Sequence, residues 1–261
     1  MANIFKSLML GFVLFFFGNG TANAQVGMVG QEIGIVAGPV AYFTDYGLRW
    51  NFETNSSNVG LGIGLVYYLN FAYRADCNCY ARYSYFNDHF RVRAEIDYHE
   101  GELNHYGPLA QKESTGGEQL RGMIGKASVY EIGAHLEYYP LSIRDYTAFA
   151  YPIAPYVSLG FNFVGYDPHT YSTSKKAIPF EEKLLPKFRG FVSQEAGSTW
   201  GVAVGAGMRY KLGVSSDLVM NMQWRYYDTD WIEGLDHDNP ENKYNDMMFW
   251  LNFGYIYYLN F

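Results

Sequence analysis

The sequence predicts an all-β chain that folds into a single antiparallel transmembrane β-barrel of eight strands, with polar side chains filling its lumen. Apolar and polar residues alternate in eight segments, and a period of two is typical of strands. Aromatic residues make up 19% of the chain, and 25 of its residues are Tyr. Such a composition fits a barrel that carries aromatic girdles at both membrane interfaces.

The first 24 residues predict a secretory signal peptide. Lys6 supplies a positive charge, residues 8–17 form an apolar core, and residues 22–24 (Ala-Asn-Ala) have the small side chains of a cleavage site. The apolar core is shorter than the ~20 residues that a membrane-spanning helix needs. We therefore expect cleavage after Ala24, export, and a barrel domain over residues 25–261.

The eight strand segments follow the signal peptide in order. They lie at 31–43, 59–71, 89–99, 127–139, 153–165, 199–212, 217–227 and 247–261. The connections after the odd-numbered segments are mostly longer than those after the even-numbered ones, which is typical of transmembrane barrels. Two of the connections after even-numbered segments, at 72–88 and 140–152, are nevertheless long enough to hold an additional pair of strands. Ten strands are therefore an alternative.

Glycine decides which face of the predicted strands points inward. A soluble barrel would put the apolar face inside, but its solvated surface has no need for the glycines at 60, 62 and 64, since Gly weakens a strand. A narrow lumen needs them, because they leave room for long charged side chains on the next strand. The sequence thus predicts a paired lumen network that includes Arg91, Arg93, Glu95, Asp97, His99, Arg209 and Arg225.

One strand face carries residues that could act as general acid and base. Glu131, His135 and Glu137 alternate along the fourth segment, and His is the side chain most easily tuned for proton transfer. The structural alternative is that the three belong to the lumen network with the arginines of the third segment as partners. We favour that alternative and assign no catalytic residue.

Two further features have the residue types of binding sites. Cys77 and Cys79 predict a local disulfide or two free thiols, because two thiolates do not complete the four ligands of a structural zinc site; we expect no metal and no cofactor. The last long connection carries six carboxylates, and we expect a solvated loop that could bridge to lipopolysaccharide through divalent ions. These carboxylates are Asp228, Asp230, Glu233, Asp236, Asp238 and Glu241. Residues 178–189 predict a short amphipathic helix that caps the barrel mouth or lies at lipid headgroups, and a partner-binding surface is equally consistent.

The C-terminal segment resembles the closing strand of bacterial outer-membrane barrels. Its alternating residues Tyr255, Tyr257, Leu259 and Phe261 end on a terminal aromatic residue. In that class this pattern is the assembly signal for the barrel-insertion machinery. The architecture as a whole resembles the small OmpA/OmpX-type barrels, and the block at 73–82 with 85–90 resembles an uncharacterised family from Bacteroidota. The resemblance implies an outer-membrane location and implies no catalytic residue.

The function that the sequence favours is a structural or surface-display scaffold, or an accessory subunit of an outer-membrane assembly. Its expected partners are outer-membrane lipids, lipopolysaccharide, the insertion machinery and an outer-membrane protein. A formal net charge of −7 argues against nucleic acid. A lipid-modifying enzyme and a small passive channel are the alternatives.

Overall fold

The computed structural model describes residues 29–46, 57–72, 84–174, 178–237 and 244–259. Each strand pairs with the next in antiparallel fashion and the last pairs with the first, so the sheet closes into a barrel. The strands are β1 (Gly30–Phe43), β2 (Val59–Asn70), β3 (Phe90–Asn104), β4 (Met123–Tyr138), β5 (Ile153–Ser172), β6 (Gly197–Gly213), β7 (Ser216–Tyr227) and β8 (Met247–Tyr258). The helices are α1 (Tyr85–His89), α2 (Thr115–Gly122), α3 (Ile143–Thr147) and α4 (Phe180–Lys183), and a 3₁₀ turn spans Pro186–Phe188.

The prediction of an eight-stranded antiparallel barrel is confirmed, and the ten-strand alternative is wrong. β2 pairs directly with β3 and β4 with β5, which leaves no place in the sheet for another strand pair. The connection between β4 and β5 holds α3 instead. Within the described part of the chain, none of the helices is long and apolar enough to cross a membrane.

Three strands are longer than the sequence pattern indicated. β3 continues to Asn104, β4 begins at Met123 and β5 continues to Ser172. Most outward residues of these extensions are polar, among them Glu100 and Lys126, whose side chains form an ion pair at 2.6 Å. The strands therefore continue past the point where the outward apolar residues end, which is why hydrophobic alternation alone placed their ends too early.

The outer surface of the barrel is an apolar belt with tyrosines at its edges. Along β4, the outward side chains run from Tyr130 to Tyr138 through apolar residues. At ~3.4 Å per residue and a tilt of ~40°, this stretch spans about 21 Å along the barrel axis, close to the ~25 Å band of transmembrane barrels. Leu61 and Leu159, on other strands, are 65% and 61% exposed. The apolar side chains thus face outward.

Chain segments cover both ends of the barrel. At the end where β1 meets β2, here the loop end, Leu184, Phe188, Ile232 and Leu235 are buried in the core. We call the described residues of the connections at this end the loop cap: 44–46, 57–58, 105–122, 173–174, 178–196, 228–237 and 244–246. At the opposite end, the turn end, α3 buries Ile143 and Tyr146 beneath the lumen.

The predicted helix over 178–189 is wrong in one respect. The segment forms α4 and a separate 3₁₀ turn, with Leu184 and Leu185 extended between them (ψ 152° and 135°). Pro186 explains the break, because a proline disfavours helical backbone in the residue before it and lacks an amide hydrogen. Leu184 and Phe188 nonetheless point into the barrel mouth, so the segment caps it.

Candidate functional site

The lumen holds the largest set of buried charged side chains in the described part of the chain. Six carboxylates, five Lys or Arg side chains and two His point inward from the strands. We call this set, with Asn162, the lumen network: Glu32, Glu95, Asp97, Glu131, Glu137, Asp217, Arg91, Arg93, Arg209, Lys211, Arg225, His99, His135 and Asn162. All are at least nine-tenths buried, so each charge depends on its neighbours for compensation.

Register explains why these side chains meet. The antiparallel pairing of β3 with β4 sets Arg91 opposite Glu137 and Asp97 opposite Glu131. Because side chains alternate in direction along a strand, residues opposite each other share a face. The polar face of β3 and that of β4 therefore point into the same lumen, and closure of the eight-stranded sheet places β7 across the lumen from them.

Arg225 on β7 is the centre of the network near the loop end. Its guanidinium lies 2.9 Å from Glu95 Oε1, 2.9 Å from Asp97 Oδ2 and 2.7 Å from Glu131 Oε2. It also lies over the ring of Trp250, 5.0 Å from the centroid. One cation thus joins three carboxylates on two strands across the lumen.

The middle of the lumen is linked by Arg93 and His135. Arg93 lies 3.1 Å from both Glu95 and Glu137. His135 Nε2 lies 2.7 Å from Glu95 Oε1 and 3.0 Å from Asn162 Oδ1. Asn162 donates to Glu131 at 2.5 Å, which connects this layer to the Arg225 cluster.

A third cluster closes the network at the turn end. Glu32 contacts Arg91 at 3.3 Å and Arg209 at 2.5 Å. Asp217 lies 3.2 Å from Lys211 Nζ and accepts a hydrogen bond from the Tyr258 hydroxyl at 2.6 Å. The clusters connect through Arg209, which is 4.0 Å from Glu137. A continuous chain of charged contacts therefore runs through the lumen from end to end.

Glycines make room for these side chains. A Cβ on Gly64 would overlap Asp97 Oδ1, and one on Gly160 would overlap the ring of His135. Both approaches would be far inside van der Waals contact. Any larger residue at either position would displace the polar side chain that crosses it.

The structure gathers the sequence-predicted lumen residues into one place and adds two that were missed. Arg91, Arg93, Glu95, Asp97, His99, Arg209 and Arg225 all belong to the lumen network. Glu32 and Asp217 were not singled out from the sequence. Each lies at an inward position inside a segment that the sequence predicted, 31–43 or 217–227, so following the alternation to the end of each segment would have found them.

The acid–base candidates are enclosed. Glu131, His135 and Glu137 are 0%, 2% and 0% exposed, and each contacts other members of the network. The mid-lumen gap next to them, bounded by Tyr68, Arg93 and other side chains, is too narrow for a water-sized sphere. The arrangement therefore offers a lipid substrate no approach to these three residues.

Several sequence-predicted features lie elsewhere. Residues 1–24, Cys77, Cys79 and Phe261 lie outside the described residues. Tyr255, Tyr257 and Leu259 face outward on and just after β8. Among the described residues, no three His, Cys, Asp or Glu side chains are arranged to hold a metal ion.

The prediction of a solvated acidic loop is wrong for Glu233, whose side chain is fully buried. Its Oε1 accepts a hydrogen bond from the backbone of Asp45 at 2.8 Å. The loop folds inward because Ile232 and Leu235, on either side, belong to the apolar core of the loop cap. Asp238 and Glu241 lie outside the described residues.

The chain resembles solved eight-stranded barrels in fold. No protein-family model matches it, and no curated protein sequence matches it significantly. Ail of Yersinia pestis, solved in complex with the heparin analogue sucrose octasulfate, is 13% identical over 88% of this chain and 97% of that one, with a TM-score of 0.41. The Neisserial surface protein A is 13% identical over 87% and 96%, with a TM-score of 0.41.

A third solved barrel shows the same degree of likeness. A major outer membrane protein from Thermus thermophilus is 14% identical over 88% of this chain and 99% of that one, with a TM-score of 0.41. At these identities and scores the likeness concerns the barrel fold alone. The resemblance of residues 73–82 to a Bacteroidota family stays a prediction.

Proposed function

We propose that this chain is an outer-membrane barrel that serves as a rigid scaffold, presenting its loop cap at the cell surface on its own or as an accessory subunit of a membrane assembly. The observation that carries the proposal is the reversed polarity of the barrel. Its charged residues fill the interior while Leu, Ile, Val, Phe and Tyr cover the exterior. Water would disfavour such a surface, whereas a hydrocarbon layer of matching thickness would stabilise it.

A group of aromatic side chains at the turn end supports a membrane interface there. Tyr85 and Phe86 on α1 are exposed, and the Tyr85 hydroxyl hydrogen-bonds to that of Tyr138 at 2.8 Å. Phe86 stacks on Phe90 with 4.8 Å between ring centroids. Aromatic side chains of this kind favour the boundary between headgroups and hydrocarbon. α1 would then lie along the inner surface of the membrane.

The packing of the loop cap supports a display role. Val192 pairs with Leu235, and the Ser193 amide donates to Gly234 O at 2.9 Å. The His237 amide donates to Asp45 Oδ2 at 2.8 Å, which ties the last connection to the first. Hydrogen bonds between sequence-distant connections reduce loop motion, so the cap would present a fixed surface rather than a set of mobile loops.

Surface labelling tests both the location and the orientation. In a background with both native cysteines replaced by serine, Leu109→Cys in the cap should react with a membrane-impermeant maleimide on intact cells. The matched control is Val214→Cys at the turn end, which is similarly exposed (68% against 65%) and should react only after lysis. The opposite pattern would reverse the orientation, and equal labelling of both in a soluble fraction would contradict membrane insertion.

The passive-channel alternative receives no support from the lumen. Arg225, Arg93 and Arg209 cross it in successive layers, and each pairs with carboxylates on other strands. We expect the purified protein to give closed traces in planar bilayers at neutral pH. Stable open conductance steps would show that the lumen network rearranges in the membrane and would make the channel the better proposal.

The accessory-subunit role depends on a partner that binds the cap or the barrel wall. Leu109, Tyr106 and Phe191 are apolar or aromatic side chains exposed on the cap. Affinity purification from solubilised membranes should recover a stoichiometric partner if the chain is such a subunit. Loss of that partner with Leu109→Asp, but not with Val214→Asp, would assign the contact to the cap, whereas a monodisperse monomer favours independent display.

A further inference from the structure

We propose that Glu233 and Asp246 form a proton-operated latch that fastens the connection between β7 and β8 onto the loop end of the barrel. The latch is closed while the two carboxyl groups share one proton, and it loosens when both are ionised. This inference concerns the loop cap and does not depend on the partner or the membrane role proposed above.

The two carboxyl groups are buried and face each other. Both residues are 0% exposed, and their carboxyl groups lie within hydrogen-bonding reach of each other. Their other oxygens are already engaged: Glu233 Oε1 accepts from the Asp45 amide at 2.8 Å and Asp246 Oδ2 from the Ile232 amide at 3.1 Å. An ionised carboxylate can only accept hydrogen bonds, so the bond between the two requires one proton. The geometry therefore implies one proton shared by the pair.

The surroundings of the pair favour keeping that proton. Asp230 in the same connection adds negative charge, and Asp45 from the β1–β2 connection, Tyr46 and His237 are further titratable groups nearby. Pro168 of β5 and the Ser193 carbonyl, which do not titrate, lie beside the neighbouring Gly234. Two adjacent buried negative charges repel each other in a medium of low polarity, so full ionisation destabilises the closed cap.

The pKa of Glu233 agrees with this geometry. It is raised from 4.5 to about 7: burial is the main cause, the charge of Asp230 adds to the increase, and the hydrogen bonds with Asp246 and with the backbone of Asp45 and Glu233 oppose it. Because the pKa is raised in the closed cap, stability from the proton is fully present below pH 4.5. It declines as the pH increases from 4.5 to about 7 and stays low above that value.

The latch holds an apolar contact in place. Ile232 and Leu235, which flank Glu233, are fully buried in the cap core with Tyr46 and Phe188. The Ile232 amide bonds directly to the Asp246 carboxylate, so movement of the pair moves this residue. Opening would uncover these apolar side chains at the mouth of the barrel. Acid conditions at the cap would then favour the covered state.

Hydrogen exchange of the Asp45 and Ile232 amides tests the latch, because both donate to its carboxylates. The purified full-length protein in detergent micelles is followed from pH 4.5 to 8, with protection factors corrected for intrinsic exchange. A shift from 4.5 to about 7 covers 2.5 pH units, so protection should fall about tenfold per unit and about 300-fold in total. In Glu233→Gln, which cannot ionise, protection should be independent of pH.

Glu195→Gln is the matched control, since it neutralises an exposed carboxylate of a neighbouring connection and should retain the wild-type slope. Retention of the barrel is checked for each variant by its heat-modifiable migration on gels. If Glu233→Gln does not fold, Asp246→Asn is tested in its place. The latch predicts that the protection factors of this variant no longer change between pH 5 and 7. A flat wild-type profile, or a slope that survives loss of the carboxylate, overturns the latch.

Discussion

Replacement of Arg225 by Met tests whether the lumen network stabilises the barrel. Met retains much of the side-chain volume but removes the charge. Glu95, Asp97 and Glu131 would lose a cation that lies 2.7–2.9 Å from each of them. The lumen network contains six carboxylates and five Lys or Arg side chains, so the variant would leave six against four. The excess negative charge would be buried within a lumen that excludes solvent.

Breaking a buried ion pair by removing one partner typically costs ~3–5 kcal/mol, because the remaining charge is left uncompensated. Three carboxylates lose a partner here, so we expect the free energy of unfolding to fall by at least that amount. Lys126→Met is the matched control. Its ion pair with Glu100 is equally short, at 2.6 Å, but both side chains are more than a third exposed. Exposed pairs contribute ~0–1 kcal/mol, so the control should remain close to wild type.

Unfolding in urea, followed by tryptophan fluorescence in lipid vesicles, measures both variants. The double variant Arg225→Met with Glu131→Gln provides a second check, since it removes one of the unpaired carboxylates and should recover part of the loss. If Arg225→Met unfolds within about 1 kcal/mol of wild type, well below the ~3–5 kcal/mol for a broken buried pair, then the network does not stabilise the fold and the lumen must be hydrated.

Two further predictions concern the inner and outer faces of the wall. Gly160→Ala should destabilise the barrel by ~1–3 kcal/mol because its methyl group meets the His135 ring. Gly213→Ala, where the nearest atom to a Cβ is Ser216 Oγ at 4.0 Å, should have little effect in the same urea assay. Leu159→Arg, near the middle of the outward apolar stretch of β5, should cost ~2–4 kcal/mol in vesicles. Leu109→Arg on the cap should be neutral, and equal stability of the two Arg variants would contradict burial of the belt in lipid.

Much of the lumen was predictable because the signal is local. Side chains alternate direction along every strand, so the inward position of Arg91, Arg93 and Glu95 follows from the period of β3 alone. The glycines of β2 could be assigned to the same side because adjacent strands share a face. Glu32 and Asp217 were missed because each lies near the end of its strand, where few alternating residues remain to show which face it belongs to.

The ends of the barrel were predicted less well. A loop rich in carboxylates is usually solvated, and only packing shows that Ile232 and Leu235 carry Glu233 into the core of the cap. Likewise, the polar extension of β3, β4 and β5 has no hydrophobic alternation by which to recognise it. The pairing of these strands continues through backbone hydrogen bonds, which are independent of side-chain polarity.

The sequence by itself determined the strands, their faces and the inside-polar character of the barrel, since a period of two requires only neighbouring residues. The tertiary structure decided which charges meet. Arg209 and Glu32 are separated by 177 residues, and they meet only because β8 pairs with β1 and closes the barrel. Glu233 and Asp246 are brought together inside a folded cap in the same way. Such contacts depend on closure, stagger and loop packing, which no local pattern encodes.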